Sequence, residues 1–468
     1  MKIILSKIKL KRALFITFAA TQFAAVSFAD DNTGTTNEDV GVLKQELQQV
    51  EQKVDTLERQ QEKDHAAAAA VITNSPHVTV DANGVTVISA NSNFVANLGA
   101  WIQVDSRTFF ENGHTPGIDG FLLRRSRLIL SGTVYQNFDY FFNTDFGGST
   151  VQILDAYINY HYDPAVQFQF GKFKPPVGLE ALQSDIYTFF NERSLATDLV
   201  PYRDIGAMFH GSLLDGVFSY YTAILNGAPD LTTTTLNANF DNDVAFAGRV
   251  FVLPFKETSI TPLQGLGIGV SGTYEHDDTN AAAAGLTPGY VTDGQEKFFT
   301  YSSSTVPDGT HWRISPQAYY FYGPFGLMGE YVVSAQQVKK ISAPVATAYL
   351  NNTAWEVSGG WVLTGENDTY SGVSPRHPFS IRNGNWGAWQ VVGRFAQLNV
   401  DSAAFPNFAS AATSASKASA WAAGLNWYLN NNLRVNASFS HTWFNGGATG
   451  TVTKRPENVV FTRVQLAF

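Results

Sequence analysis

Arginines recur through most of this sequence at positions where they could form a charged file. Each lies in a segment in which apolar and polar residues alternate, and each falls on the polar parity. A guanidinium stays charged, and its planar fork matches the oxygens of phosphate. Rings of basic side chains line anion pores, so the file predicts an anion path. The arginines that parity places on it are Arg107, Arg125, Arg127, Arg249, Arg313, Arg394, Arg434 and Arg463.

Carboxylates share the parity of these arginines, which leaves an alternative open. Seven acidic residues are expected on the same faces, namely Asp105, Asp139, Asp145, Asp155, Glu275, Glu330 and Glu356. They could pair with the arginines across strands, which would make the arginines structural rather than an ion path. Arg124 shares the parity of Leu128 and Leu130 and is therefore expected to face away from the path.

Other chemistry has little support in the sequence. The absence of cysteine from the 468 residues excludes thiol catalysis, disulfides and cysteine-ligated zinc. The nine histidines form no pair with metal-ligand spacing, and no serine lies in a nucleophile elbow, so a hydrolase would need serine and histidine on neighbouring strands. The 40 acidic residues outnumber the 31 basic ones, which argues against nucleic acid as a partner. We therefore predict no enzyme and no cofactor.

The polar parities belong to short segments whose apolar and polar residues alternate, which is the period of a β-strand with two unlike faces. Polar faces that carry Arg, Asp, Asn and Gln, opposite apolar faces that end in Trp, Tyr and Phe, favour a membrane barrel over a soluble sandwich. The predicted fold class is all-β, a transmembrane antiparallel β-barrel of about 16 strands, with a short N-terminal coiled-coil helix. The strands are predicted to begin near Asn93, Leu122, Asn137, Val151, Ala165, Arg203, Val217, Val244, Gly265, His311, Phe325, Asn352, Trp386, Lys417, Leu433 and Asn458.

The connections and the C-terminus fit the same fold. Ala228–Asn242, Asp277–Asp308 and Thr364–Asn385 are expected to be long external loops. From Val460 onward the last strand alternates up to a terminal aromatic, Phe468. Such an ending is the assembly signal of bacterial outer-membrane proteins, so we assign Phe468 that role.

The N-terminus predicts an export signal and an arm. Residues 1–29 have a basic start, an apolar stretch and small residues before a cleavage site, which is the pattern of a signal peptide. Residues 30–65 are predicted to form a periplasmic coiled-coil arm, because apolar residues are spaced 3, 4, 3, 4 and 3 apart. The alternative is an amphipathic helix docked on its own domain. Residues 66–92 are predicted as a linker and 93–468 as the barrel. The apolar positions of the arm are Val40, Leu43, Leu47, Val50, Val54 and Leu57.

Several motifs carry a family resemblance. They are Arg124-Arg125-Ser126-Arg127-Leu128 followed by Gly132, then Asp145-Phe146-Gly147, Asp155-Ala156-Tyr157, Gly171-Lys172-Phe173-Lys174-Pro175-Pro176-Val177-Gly178-Leu179-Glu180 and Glu192-Arg193-Ser194-Leu195, followed by Pro201, Arg203 and Gly206. In these motifs the chain resembles the phosphate-selective porin O/P family. The resemblance implies a sixteen-stranded trimeric channel with a loop folded into the lumen, here near residues 173–202.

The resemblance also extends the anion path to residues in and around that loop. It adds Lys172, Lys174, Arg193 and Arg203 to the path. The expected counter-charges are Asp105, Asp155, Glu180 and Asp185. The phosphate-binding members carry lysine in or near the constriction, whereas residues 181–190 of this chain contain no lysine and do contain Asp185.

Together these observations predict a porin of the bacterial outer membrane, exported through the inner membrane. The expected function is passive diffusion that prefers small anions, with phosphate or polyphosphate as candidate solutes. The expected partners are those anions, outer-membrane lipid and two further copies of the chain in a homotrimer. Two alternatives remain, a general or sugar-type diffusion porin, and a surface adhesin or tether with a plugged barrel.

Overall fold

The computed structural model describes residues 37–110, 117–148, 150–231, 243–277, 289–448 and 453–468. The chain divides into two compact units, residues 1–75 and 76–468. The predicted signal peptide, residues 1–29, lies outside the described residues. Among the described residues, no helix is both long enough and apolar enough to cross a membrane.

Within the first unit, the described residues form one helix, α1 (Asn37–Asn74). It covers residues 37–65 of the predicted arm, whose residues 30–36 lie outside the described residues, and it continues past residue 65 because the alanine run that follows is a strong helix former. The apolar side chains of Leu47, Val50, Val54 and Leu57 are exposed in the single chain. Pairing of this apolar seam with other helices stays a prediction.

The described residues of the second unit form twenty strands. They are β1 (His77–Asp81), β2 (Gly84–Ile88), β3 (Phe94–Phe109), β4 (Gly120–Val134), β5 (Phe138–Asp145), β6 (Gln152–Asp163), β7 (Val166–Phe173), β8 (Asp204–Leu213), β9 (Phe218–Leu225), β10 (Ala245–Val252), β11 (Leu266–Asp277), β12 (Tyr290–Val291), β13 (Lys297–Phe299), β14 (Thr305–Tyr322), β15 (Phe325–Lys340), β16 (Ala346–Val362), β17 (Ala388–Asn399), β18 (Ala415–Tyr428), β19 (Leu433–Gly446) and β20 (Glu457–Ala467).

Sixteen of these strands form a closed antiparallel barrel. Strands β3 to β11 and β14 to β20 pair in sequence order, and β20 closes the ring by pairing with β3, from Val459 opposite Phe109 to Ala467 opposite Trp101. The predicted barrel is confirmed, and each predicted strand start lies within six residues of an observed one. The short β12 and β13 form a separate hairpin.

The two faces of the barrel strands are those predicted from the alternation. Leu128, Leu130 and Phe142 are exposed on the outer face, whereas Gln103 and Asp105 are buried on the inner face. A barrel in lipid satisfies its backbone within the ring and presents apolar side chains outward. The polar residues of the sequence pattern therefore lie inside the barrel.

A hairpin lies in the stretch where the sequence predicted a linker. Strands β1 and β2 pair with each other, and β2 also pairs with β3, from Val85 opposite Leu98 to Ile88 opposite Val95. Along the same edge of β3, the backbone of Phe468 exchanges hydrogen bonds with Ala100, of 2.8 and 3.0 Å. Between them, a Cβ on Gly99 would lie 2.6 Å from the carbonyl oxygen of Phe468, so this position requires glycine.

The strand order assigns each connection to one end of the barrel. The tight turns 135–137, 164–165 and 323–324 lie at the end that holds Phe468, which is the periplasmic end in barrels of this kind. The prediction that Thr364–Asn385 is an external loop is wrong. Residues 363–387 join β16, the twelfth barrel strand, to the thirteenth, and a connection after an even-numbered strand returns to the periplasmic end.

Candidate functional site

The connection between β7 and β8, residues 174–203, lies inside the barrel and is called the inward segment below. Its backbone contacts walls on different sides of the lumen. Glu330 on β15 accepts hydrogen bonds from the backbone N–H groups of Leu179 and Glu180, at 2.9 and 3.0 Å. Arg434 on β19 donates to the carbonyl oxygen of Thr188 at 3.0 Å. The segment predicted to fold inward therefore crosses the lumen.

Basic side chains hold the inward segment together from within. The ammonium of Lys174 donates to the carbonyl oxygens of Ala181 and Gln183, at 2.7 and 2.9 Å. Burial, together with the positive charges of Arg193 and Arg203, lowers the pKa of Lys174 to about 7. Lys174 thus serves both as a structural donor and as a titratable positive charge.

Asp185 of the inward segment faces three arginines. Its carboxylate lies 2.5 Å from Arg127, 3.4 Å from Arg125 and in hydrogen-bond contact with Arg193. Burial alone would raise the pKa of Asp185, but these guanidiniums hold it well below the usual range. Arg127 also contacts Asp145 on β5 at 2.8 Å.

Glu192 is the second carboxylate of the inward segment that faces several arginines. Arg124 donates to its two carboxylate oxygens at 2.5 and 2.9 Å. Arg463, Arg107 and Arg125 lie 3.6, 3.7 and 3.8 Å from the same carboxylate. Burial would raise the pKa of Glu192, but the arginines, Arg124 foremost, hold it below the usual range.

The prediction that Arg124 faces away from the lumen is wrong. Gln103 pairs with Arg125 and Val104 pairs with Leu123, so Arg124 is the extra residue of a β-bulge. A bulge interrupts the alternation of side chains between the two faces. Arg124 therefore joins Arg125 on the inner side and bonds to Glu192.

Two of the predicted counter-charges, on barrel strands β3 and β6, accept hydrogen bonds from arginines, one across paired strands and one from the inward segment. Asp105 accepts two hydrogen bonds of 2.7 Å from Arg463, and neither side chain is exposed. Asp155 accepts two bonds of 3.2 Å from Arg203. Lys172 is buried on β7. These contacts match the structural pairing that the sequence left open.

Arg394 and Arg313 contact acids in other sectors of the barrel. Arg394 on β17 lies 2.9 Å from Asp293 and 3.3 Å from Glu180, the third predicted counter-charge. Arg313 on β14 lies 2.6 Å from Asp230. The external connections, not only the strands, therefore supply carboxylates to the lumen arginines.

Arg249 and Arg434 differ from the other lumen arginines described above, because they donate their hydrogen bonds to neutral groups rather than to carboxylates. Arg249 donates to the side-chain oxygen of Gln317, at 3.1 and 3.0 Å, and stacks over Phe251 at 4.5 Å. Arg434 donates to Thr188 and stacks over Tyr428 at 5.7 Å. All eight arginines placed by parity thus lie inside the barrel, but they do not form one uninterrupted file.

One group of side chains could in principle ligate a cation. Ligand atoms of Glu275, Asp277 and His311 lie within 4.8 Å of one another. Arg313 already donates to Glu275 at 3.0 Å. The positive charge beside these acids is therefore a guanidinium.

Two cavities meet at the arginines beside the inward segment. The outer vestibule, of about 450 Å³, is lined by Arg124, Arg127 and Arg193. The inner vestibule, of about 280 Å³, is lined by Arg127, Lys174 and Arg203. Arg127 thus borders both cavities, and any solute that moved between them along this wall would pass its guanidinium.

The connection 363–387 enters the lumen from the periplasmic end of the barrel. The hydroxyl of Tyr370 donates to the carbonyl oxygen of Leu179 at 2.6 Å. Gln183 donates to the carbonyl oxygen of Tyr370 at 2.8 Å. The inward segment is therefore held by a second connection that enters from the opposite end of the barrel.

Comparison with known proteins agrees with this architecture. The family described as "Phosphate-selective porin O and P" matches residues 94–468. The chain belongs to this family. The porin is 25% identical over 411 residues to Porin O of Pseudomonas aeruginosa, which covers 80% of this chain and 89% of that protein.

Solved structures show the same fold at low identity. The outer membrane channel DcaP of Acinetobacter baumannii aligns with a TM-score of 0.53 and 11% identity, over 80% of this porin and 98% of that chain. A loop-deletion mutant of OmpT of Vibrio cholerae aligns with a TM-score of 0.50 and 11% identity, over 80% and 100%. These likenesses show that its fold is that of a porin-type β-barrel.

Proposed function

We propose that this porin is a passive channel that prefers small anions, with phosphate and polyphosphate as candidate solutes. The proposal rests on the charge balance beside the inward segment. Six arginines, the arginine cluster, contact four carboxylates, which leaves two positive charges in excess. The cluster comprises Arg107, Arg124, Arg125, Arg127, Arg193 and Arg463, and its partners are Asp105, Asp145, Asp185 and Glu192.

This excess would act on an ion in a confined space. Charges in clefts with low-dielectric walls raise the local concentration of counter-ions, and screening is weaker there than at an open surface. Arg127 borders both vestibules, so its guanidinium could receive an anion on one side and release it on the other. Passage would need no covalent step and no cofactor, only exchange of hydration for guanidinium contacts.

Reversal potentials in a potassium chloride gradient test the proposal. Wild-type porin in planar bilayers should favour chloride, and the R125Q/R127Q variant should favour it less. A unit charge about 5 Å from an ion is worth about 0.8 kcal/mol even at the dielectric constant of water, or about fourfold in the local concentration of that ion for each arginine. The control is R382Q, because Arg382 is exposed in the periplasmic connection. A wild-type preference for potassium would refute the proposal.

The same recordings address the two alternative functions. A general or sugar-type porin would give a permeability ratio near one that R125Q/R127Q leaves unchanged. An adhesin or tether with a plugged barrel would insert and give no conductance. The plugged barrel has one structural observation in its favour, the contact of Tyr370 with Leu179 inside the lumen.

We also propose that three copies assemble and that α1 contributes to the assembly. Leu47, Val50, Val54 and Leu57 form a narrow exposed apolar seam on α1. Burying this seam against the same seam of other copies would remove it from water. Export would depend on residues 1–29, acting as a cleaved signal peptide.

A further inference from the structure

We propose that the carboxylates of Asp185 and Glu192 occupy, within the protein itself, positions where an oxyanion would bind the arginine cluster. On this basis the two side chains set how strongly the pore retains an oxyanion. The inference rests on the proposed anion preference and adds a residue-level determinant to it.

Asp185 is held as a bound oxyanion would be held. One carboxylate oxygen contacts Arg125 and Arg193, and the other contacts Arg127 at 2.5 Å. The hydroxyl of Tyr202 adds a fourth donor at 3.3 Å. A carboxylate and a phosphate present similar charged oxygens to a guanidinium, so they compete for the same donors.

Glu192 occupies a second position of the same kind. Arg124 engages both of its oxygens, and Arg107 and Arg463 lie 3.7 and 3.6 Å from it. Each of the six members of the arginine cluster contacts Asp185 or Glu192. Both carboxylates belong to the inward segment rather than to the wall, so the segment brings its own anions to the arginines.

The position of these carboxylates relative to the cavities links them to permeation. Glu192 lines the outer vestibule and Asp185 lines the inner one. An incoming oxyanion would therefore meet guanidiniums that are already engaged. The expected result is weak retention and rapid release, and removal of either carboxylate should uncover a tighter oxyanion position.

The test measures how inorganic phosphate blocks chloride current through single channels of wild type, D185N and E192Q. Each substitution keeps the side-chain size and removes one negative charge. The half-blocking phosphate concentration should fall at least about tenfold, because an uncompensated guanidinium attracts the anion in a partly desolvated space. The control is D198N, which removes a carboxylate from the same segment. The carboxylate of Asp198 accepts a hydrogen bond from the backbone N–H of Val291 at 2.9 Å and does not belong to the arginine cluster's partners.

Two variants keep the inference falsifiable if one of them fails to insert. An unchanged or raised half-blocking concentration in the variant that conducts would overturn it, as would an equal fall in D198N. Reversal potentials from the same bilayers separate the two proposals. A chloride-preferring wild type whose variants show unchanged phosphate block defeats this inference alone, whereas a potassium-preferring wild type defeats the proposed function.

Discussion

The seam between the first and last barrel strands contains a buried ion pair whose loss should be costly. Asp105 accepts two hydrogen bonds of 2.7 Å from Arg463, and both side chains are 0% exposed. In D105A, the guanidinium would keep only Glu192, 3.6 Å away, as a carboxylate partner. Breaking a buried pair costs about 3 to 5 kcal/mol, and because Glu192 remains we expect about 3 kcal/mol. Equilibrium urea unfolding in lipid vesicles, followed by tryptophan fluorescence, measures this loss.

The matched control is D139A, in a pair that water reaches. Asp139 contacts His161 at 2.7 Å, and each side chain is 36% exposed. Exposed pairs are worth less than about 1 kcal/mol, so D139A should lie close to wild type. D105A/R463M should recover part of the loss, since it leaves no unpaired guanidinium. The reasoning fails if D105A costs no more than D139A, or if the double variant is less stable than D105A.

Three further predictions concern other parts of the chain. As pH rises from 6 to 8.5, the chloride preference in reversal-potential measurements should fall, because Lys174, with its pKa lowered to about 7, loses its charge. The K174M variant should lose most of this pH dependence. Deleting Phe468 should sharply lower the outer-membrane yield in cell fractionation, because its backbone completes the pairing with Ala100, and equal yield would contradict its assigned role. Substituting Leu47 and Val54 by aspartate should weaken trimers on semi-native gels without preventing insertion, and unchanged trimers would assign α1 another role.

The strands could be predicted from the sequence because each has one face in lipid and one in the lumen. That difference gives a period of two, which Leu128, Leu130, Arg125 and Arg127 follow on β4. The same rule failed at Arg124, because a bulge shifts the alternation by one residue. Neighbouring polar residues such as Arg124 and Arg125 hide the shift, since neither parity looks apolar at that point.

The partners of the arginines could be predicted only in part. Asp105 and Arg463 fall on the inner parity of the first and last strands, so their meeting follows once the barrel is closed. The contacts of Glu192 depend on the path of the inward segment through the lumen, which leaves no periodic signal. The contact of Tyr370 with Leu179 was missed because loop length alone placed its connection at the wrong end.

The hairpin β1–β2 has a consequence for the order in which the barrel closes. Both β2 and β20 use the same edge of β3, and because Phe468 after β20 pairs with Ala100, only Gly99 lies between the two paired stretches. If β2 paired farther along that edge before β20 arrived, it would block the closing strand. If β20 pairs first, its end at Phe468 limits how far β2 can advance. The hairpin could therefore compete with β20 for this edge of β3, and we expect β20 to pair with β3 before the hairpin docks.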